Sequence, residues 1–493
     1  MQRSRVRRVG ALVLGLSLVA AACGDDDDGG AAGDTTVAPG TTGATEPTGA
    51  TETTGATETT GATETTGATE TTGATETTGA AGEAECGFAP SDVTDGDLAG
   101  FGGTTPYGEI SEDFFARLCE VDPALTDLNY AAETYDAVVI TALATAIAED
   151  DGIAHASEIN GVTRDGEKCT TFEDCMALIE AGTTDIDYDG ASGPLTFAGN
   201  GEPLEGTYGL LVMGDNNRID PTLTEYLPFQ GTEEADVPET PIEGTREGDG
   251  VLTLGANLPQ TGSLAFLGPP MFAGFNLALE EINEAGGVLG QEIVGIQGDS
   301  GDTTTNQADQ TADRQLSENI DAVIGTASSS VTLSIIDKIT SAGVTMFSPA
   351  NTSPELSGYA DKGLYFRTAP PDIYQGEIIG QFIINDGHQS VAMIHLNDSY
   401  GNGLADAAQA TIEASGGEVV SRQAYDPAAT SFDSEVDAVA ATNPDAIWMC
   451  GFQESARVLR TMVEKGVGPK DIPGYGCDGN IGNALGVDFD AGN

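Results

Sequence analysis

Basic residues are scarce: 18 Lys plus Arg stand against 79 Asp plus Glu, a formal charge of −61 over 493 residues. Such a balance repels phosphate and excludes nucleic acid and anionic lipid headgroups as natural partners. The acids are scattered rather than gathered at ligand spacing, so they read as a solvated acidic surface. Histidine is nearly absent. His155, His388 and His395 have no Cys at ligand spacing and no CxxC pair occurs, so no metal site is expected. There is no Gly-x-Ser-x-Gly elbow and no phosphate loop. Gly298-Asp-Ser-Gly301 has the letters of a serine-protease nucleophile region, but its Ser follows an α/β strand with no catalytic His and Asp before it. Gly474-x-Gly476-x-x-Gly479 fits a dinucleotide pattern without a ribose-binding acid after it. Neither an enzyme nor a cofactor is predicted.

The N-terminus lacks a membrane-spanning run. Arg3, Arg5, Arg7 and Arg8 precede an uncharged stretch from Val9 to Ala22, which is too short for a spanning helix of about 20 residues. A charged n-region, an apolar h-region and Ala20-Ala21-Ala22 make residues 1–22 a signal peptide. The Cys23 that follows resembles a lipobox cysteine, which would become the lipidated first residue. Residues 23–85 carry six hexads from Gly43 to Thr78, GATEPT once and GATETT five times. Alanine is the only apolar residue of each hexad, too little to stack a β-helix. Without apolar area to offset ordering entropy, the segment reads as a disordered tether with a reach of about 40 Å.

About 410 residues remain, enough for two domains with real cores. Besides Cys23 there are six cysteines, matching an oxidising compartment. Cys169 and Cys175 bracket a short span opening a helix and form the clearest pair. Cys450 and Cys477 each end a strand-like run and meet if those strands are neighbours; Cys86 and Cys119 remain by elimination. The alternative is buried free thiols.

From Val251 onward, strands and helices alternate. Val251–Ala256, Glu292–Gln297, Ala322–Ile324 and Val344–Phe347 read as strands of one series, with Met271, Phe275, Ala278 and Ile282 on one helical face between the first two. A second series begins at Ser390–Leu396. Two such series predict two lobes, each a parallel sheet covered by helices on both faces, with any ligand at the carboxyl ends of the strands.

At those strand ends stand Leu258-Pro-Gln-Thr-Gly262, Ala265 to Gly268, Ile324-Gly325 with Ser328-Ser-Ser330, Ser348-Pro349 through Thr352 to Pro354, Arg367-Thr368, Gln375-Gly376, Tyr400-Gly401 and Gly479-Asn480. This series resembles the opening part of the branched-chain amino-acid-binding, type I periplasmic-binding family, over residues 251–493. Upstream, Leu98 to Thr104, Tyr135-Asp136-Ala137-Val138, Cys169 to Gly182, Tyr188-Asp189-Gly190, Ser192-Gly193-Pro194 and the strand Thr207–Met213 resemble the closing part of the same family, over residues 86–220. The parts stand in reversed order. The resemblance therefore implies a circularly permuted two-lobed fold, with 221–250 as the linker between the old termini. Lobe one is assigned mainly to 251–370 plus 106–189, and lobe two to 371–493 plus 98–105 and 190–220. A truncated tandem is the competing account.

The resemblance also implies a site. Ser329 and Thr352, beside Ser328 and Asn351, would hold an α-carboxylate. Tyr400 and Asp478 would hold an α-ammonium group. Phe266, Leu267, Phe452 and Gln453 would form the side-chain pocket. With the signal peptide and Cys23, it predicts an exported monomer, lipid-anchored at Cys23 on the outer face of the cell membrane, and the resemblance implies that it captures an amino acid or amide by hinge closure for an ABC permease. A ligand-sensing receptor domain and a non-transport surface module on a repeat stalk are the alternatives.

Overall fold

The computed structural model describes residues 86, 91–106, 108–231, 240–426 and 428–492. The expected signal peptide, Cys23 and the hexad tether lie outside the described residues, as does part of the expected linker, 232–239. The upstream segment holds β1 (Gly102–Pro106), α1 (Glu112–Val121), α2 (Ala131–Ala148), β2 (Glu167–Cys169), α3 (Phe172–Glu180), β3 (Ile186–Tyr188), β4 (Glu205–Val212) and β5 (Glu225–Gln230). Then come β6 (Thr253–Leu258), α4 (Gly268–Glu284), β7 (Val294–Asp299), α5 (Gln307–Ser317), β8 (Ala322–Gly325), α6 (Ser329–Ser341), β9 (Thr345–Ser348) and β10 (Tyr365–Arg367). The remainder is α7 (Asp372–Asn385), β11 (Ser390–Leu396), α8 (Ser399–Ala414), β12 (Glu418–Tyr425), α9 (Asp433–Ala440), β13 (Ala446–Cys450), α10 (Ser455–Glu464), β14 (Gly474–Gly476) and α11 (Asn483–Ala491).

Two main sheets result. Lobe one carries a five-stranded sheet in the order β10-β9-β8-β6-β7, all parallel. Lobe two carries a seven-stranded sheet, β12-β11-β13-β14-β1-β4-β5. Its first five strands are parallel, and β4 and β5 close it antiparallel. The upstream segment thus supplies three strands of lobe two, with Gly102 opposite Tyr475 and Gly103 opposite Gly476. β5 falls in the stretch read from sequence as linker, and it is instead an edge strand whose Pro228 suits a position with no outer neighbour.

The same segment supplies the core helix of lobe one. α2 is apolar on nearly all sides, and 15 of its 18 residues are buried. Its length and composition would let it cross a membrane, but it packs on α4 and against β8 and β9. Gly274 makes that close approach: a Cβ there would sit 2.1 Å from the Ala131 carbonyl oxygen. Residues 240–250 are docked as a strap. Thr240 N donates to Gly199 O and Glu243 N to Lys362 O, while Asp151 accepts from Asp249 and Gly250. Arg246 reaches the buried Asp321 at 2.6 Å.

Cys86–Cys119 and Cys169–Cys175 are disulfide-bonded. Cys450 and Cys477 are not: they are buried free thiols at the ends of the neighbouring strands β13 and β14. Adjacency alone, as read from the sequence, therefore did not decide the pairing. The Cys477 sulfur instead accepts the Tyr400 hydroxyl at 3.1 Å.

Buried acids set a pH dependence. Burial, reinforced by Asp136, pushes Glu133 up to about 8. Burial raises Asp127, Asp321 and Asp361 to about 6. Each holds its proton more tightly folded than unfolded, so its stabilisation is present at low pH and is lost as pH rises through these values. Burial lowers His155 and His395 to about 4, and they act oppositely below about 6.5. Glu133 acts between pH 8 and 6.5 with no opposing imidazole, and below pH 6 the raised acids outweigh two imidazoles. Calorimetry of residues 86–493 is expected to find Tm higher at pH 5.5 than at pH 8 by about 5 °C, a few kcal/mol for a chain of this size. A Tm that falls over that interval contradicts the assignment.

Candidate functional site

The cleft between the lobes is built from strand ends. Beyond β8, Ser328 caps α6, its Oγ accepting from Val331 N. Ser329 opens that helix, and its Oγ accepts from Ser353 N at 3.3 Å. The first-turn N–H groups of α6 carry the partial positive end of the helix dipole. Thr352 follows β9 and is held by the fully buried Arg367. The Arg367 guanidinium donates to Asn351 O and Ser353 O and pairs with Glu202.

Lobe two contributes the opposite charge. Asp478 follows β14, is buried, and accepts from the Tyr400 hydroxyl and the Tyr130 hydroxyl, each at 2.6 Å. Burial raises its pKa, against the hydrogen bonds from the two tyrosines. Asp372, the first residue of α7, is raised well above the usual carboxylate range by burial and then by Asp478. Neither Asp372 oxygen, nor Thr352 Oγ1, has a well-formed hydrogen bond. Phe452 stacks on Tyr400 with ring centroids 5.4 Å apart and 7° between planes. The cleft therefore has a helix N-terminus with serine hydroxyls on one side and a tyrosine-framed carboxylate on the other, with an apolar wall between.

These groups surround a cavity of about 10 Å³ lined by Tyr130, Leu264, Leu267, Ala327, Ser328, Ser329, Ala350, Tyr400, Phe452, Asp478 and Gly479. That is room for about one water molecule, so the lobes are closed on each other. Ser330 Oγ and Ser399 Oγ meet at 2.9 Å, Ser353 Oγ donates to Ser399 O, and Gln453 N to Ser263 O. Four residues expected from sequence lie outside the cavity wall. Asn351 is occupied inside lobe one, donating to Thr326 O and Ala327 O and accepting from Tyr365. Thr352 is buried behind the wall, next to Asp372, whose N–H donates to its carbonyl. The Gln453 side chain is exposed and donates to Asp488, because it begins the turn into α10. Phe266 is half-buried on the short turn before α4, whereas its neighbours Leu264 and Leu267 face the cavity.

Tyr130, Leu264 and Asp372 escaped sequence reading. Tyr130 lies five residues before the Tyr135 that marked α2, and it takes a left-handed backbone conformation with φ 64° at the helix start. Only a tyrosine ahead of a long apolar helix signalled it.

Fold and cleft define two lobes, each built on a largely parallel sheet, that face each other across strand ends. Residues 251–492 match the family model described as periplasmic binding protein. It is 28% identical over 242 residues to a Leu/Ile/Val-binding protein of Rhizobium johnstonii, covering 48% of this chain and 65% of that one. It is 30% identical over 219 residues to an amino acid binding protein of Pseudomonas aeruginosa, covering 44% and 58%. A branched-chain amino acid transporter substrate-binding protein of Streptococcus pneumoniae, solved with isoleucine, is 26% identical with a TM-score of 0.44, over 49% of this chain and 68% of that one. The chain spans less than two thirds of the length of the two curated relatives.

Proposed function

We propose that this chain is the extracytoplasmic substrate-binding component of an ABC importer, tethered through a lipidated Cys23, and that it captures an aliphatic α-amino acid in a circularly permuted type I periplasmic-binding fold. The observation that carries the reading is Asp478, buried between two tyrosine hydroxyls across from the N-terminus of α6. An α-amino acid is complementary to both ends at once: its ammonium group replaces the donors a buried carboxylate needs, and its carboxylate faces Ser328, Ser329 and the helix N–H groups. Leu264, Leu267 and Phe452 offer an apolar surface for an aliphatic side chain. The names of the two curated relatives, a Leu/Ile/Val-binding protein and an amino acid binding protein, point the same way. Because the closed cleft has room for about one water, capture requires the lobes to open and close again, and contacts from both lobes favour closure.

The test is a thermal melt of residues 86–493 with alanine, valine, isoleucine, leucine, leucinamide and isovalerate, read through Trp448. A bound amino acid at a hundred times its Kd should add about 2.7 kcal/mol. Leucine, isoleucine or valine should raise Tm while isovalerate, which has no ammonium group, should not. An equal shift by isovalerate, or none by any amino acid, would remove this reading.

A further inference from the structure

The lobes are joined at a second place, away from the serine contacts, by one short loop. Thr126 to Tyr130 lie between α1 and α2 of lobe one, and four of these five residues hold the segment Asp478–Ala484 of lobe two. Asp127 caps α11 from across the cleft: Asn483 N donates to Oδ1 at 2.6 Å and Ala484 N to Oδ2 at 2.9 Å. Asn483 Nδ2 donates to Thr126 O, and Asn129 Nδ2 to Ile481 O, both at 3.0 Å. Tyr130 donates to Asp478 itself. Asp127, Asn129 and Tyr130 are all buried. Glycine at position 482 keeps the approach open, since a Cβ there would lie 3.2 Å from an Asp127 oxygen. The start of α11 has no cap from its own lobe, its preceding residue being that glycine. Its first N–H groups therefore find their acceptor only when lobe one is in place.

We infer that the loop 126–130 is a clasp that sets how firmly the lobes close, with Asp127 as a positioning residue for ligand capture. The clasp grips the strand-to-helix segment that carries Asp478, so closure and the orientation of that carboxylate are one event. When the lobes part, α11 loses its cap and Asp478 loses one of its two tyrosine donors together. The functional meaning rests on the reading of ligand capture by closure, but the clasp itself can be tested without any ligand.

The experiment is hydrogen exchange on the full chain, wild type against Asp127→Ala, with Asn129→Ala as a second variant should the first fail to fold. Two reporters lie elsewhere on the cleft: Ser399 N, bonded across it to Ser330 Oγ, and Gln453 N, bonded across it to Ser263 O. Both amides should exchange about tenfold faster or more in the variants, the effect of losing one or two buried hydrogen bonds. The core amides of β8 and β11 should be unchanged, and Asp127→Asn, which keeps one acceptor, should restore part of the protection. Faster exchange confined to residues 483–486 would reduce Asp127 to a local helix cap and overturn the clasp. Loss of protection in the core strands would make it a folding residue and overturn it equally.

Discussion

Replacing Asp478 by Ala is expected to weaken binding of the proposed amino-acid ligand by more than a hundredfold, with little change in the melting temperature of the unliganded protein. Removing one partner of a buried, hydrogen-bonded charge pair costs about 2–5 kcal/mol of binding. The ligand's ammonium group would be left in a closed, water-poor cleft with only tyrosine hydroxyls nearby. Stability responds differently because the unliganded carboxylate is itself strained. Burial raises its pKa, and the neighbouring Asp372 is raised in part by Asp478, so its loss relieves a buried like-charge contact while orphaning two hydroxyls. Titration calorimetry and a thermal melt separate the two effects. A fall in Tm matching the loss of affinity would make Asp478 structural.

Residues 251–493 produced alone are expected to show no cooperative melt, and adding residues 86–250 as a separate chain is expected to restore one. Without the upstream segment, β14 becomes an unplanned edge where β1 belongs, and three of seven strands are missing from lobe two. Lobe one loses α2, exposing the faces of α4, β8 and β9 that it covers. Apolar patches of that size favour association rather than a folded monomer. The measurement is scanning calorimetry with sedimentation. A half-chain that melts cooperatively as a monomer would show that the two segments belong to separate folds.

Much of this architecture was legible in the residues. Parallel strands near Ser390–Leu396 and Ala446–Met449 announced themselves as short apolar runs between amphipathic helices, because strands buried on both faces have few alternatives. Ser329, Tyr400 and Asp478 were implied by the family resemblance, at strand ends where residues of such sheets line a cleft. The Glu225–Gln230 strand was hidden among Pro, Glu and Thr because an edge strand with one wet face carries little hydrophobic signal. Asn351 and Gln453 were misplaced because position after a strand does not tell which way a side chain turns.

The sequence by itself determined the alternation of strand and helix, the acidic composition and the division into two series of strands. These follow from local pattern and spacing. Tertiary structure alone decided that β1 enters between β14 and β4, that Cys450 and Cys477 stay thiols, and that Tyr130 meets Asp478 across the cleft. The β1–β14 and Tyr130–Asp478 contacts join residues more than 300 positions apart, and the thiols are a choice between buried neighbours. Such choices depend on packing in three dimensions, which a local window along the chain does not contain.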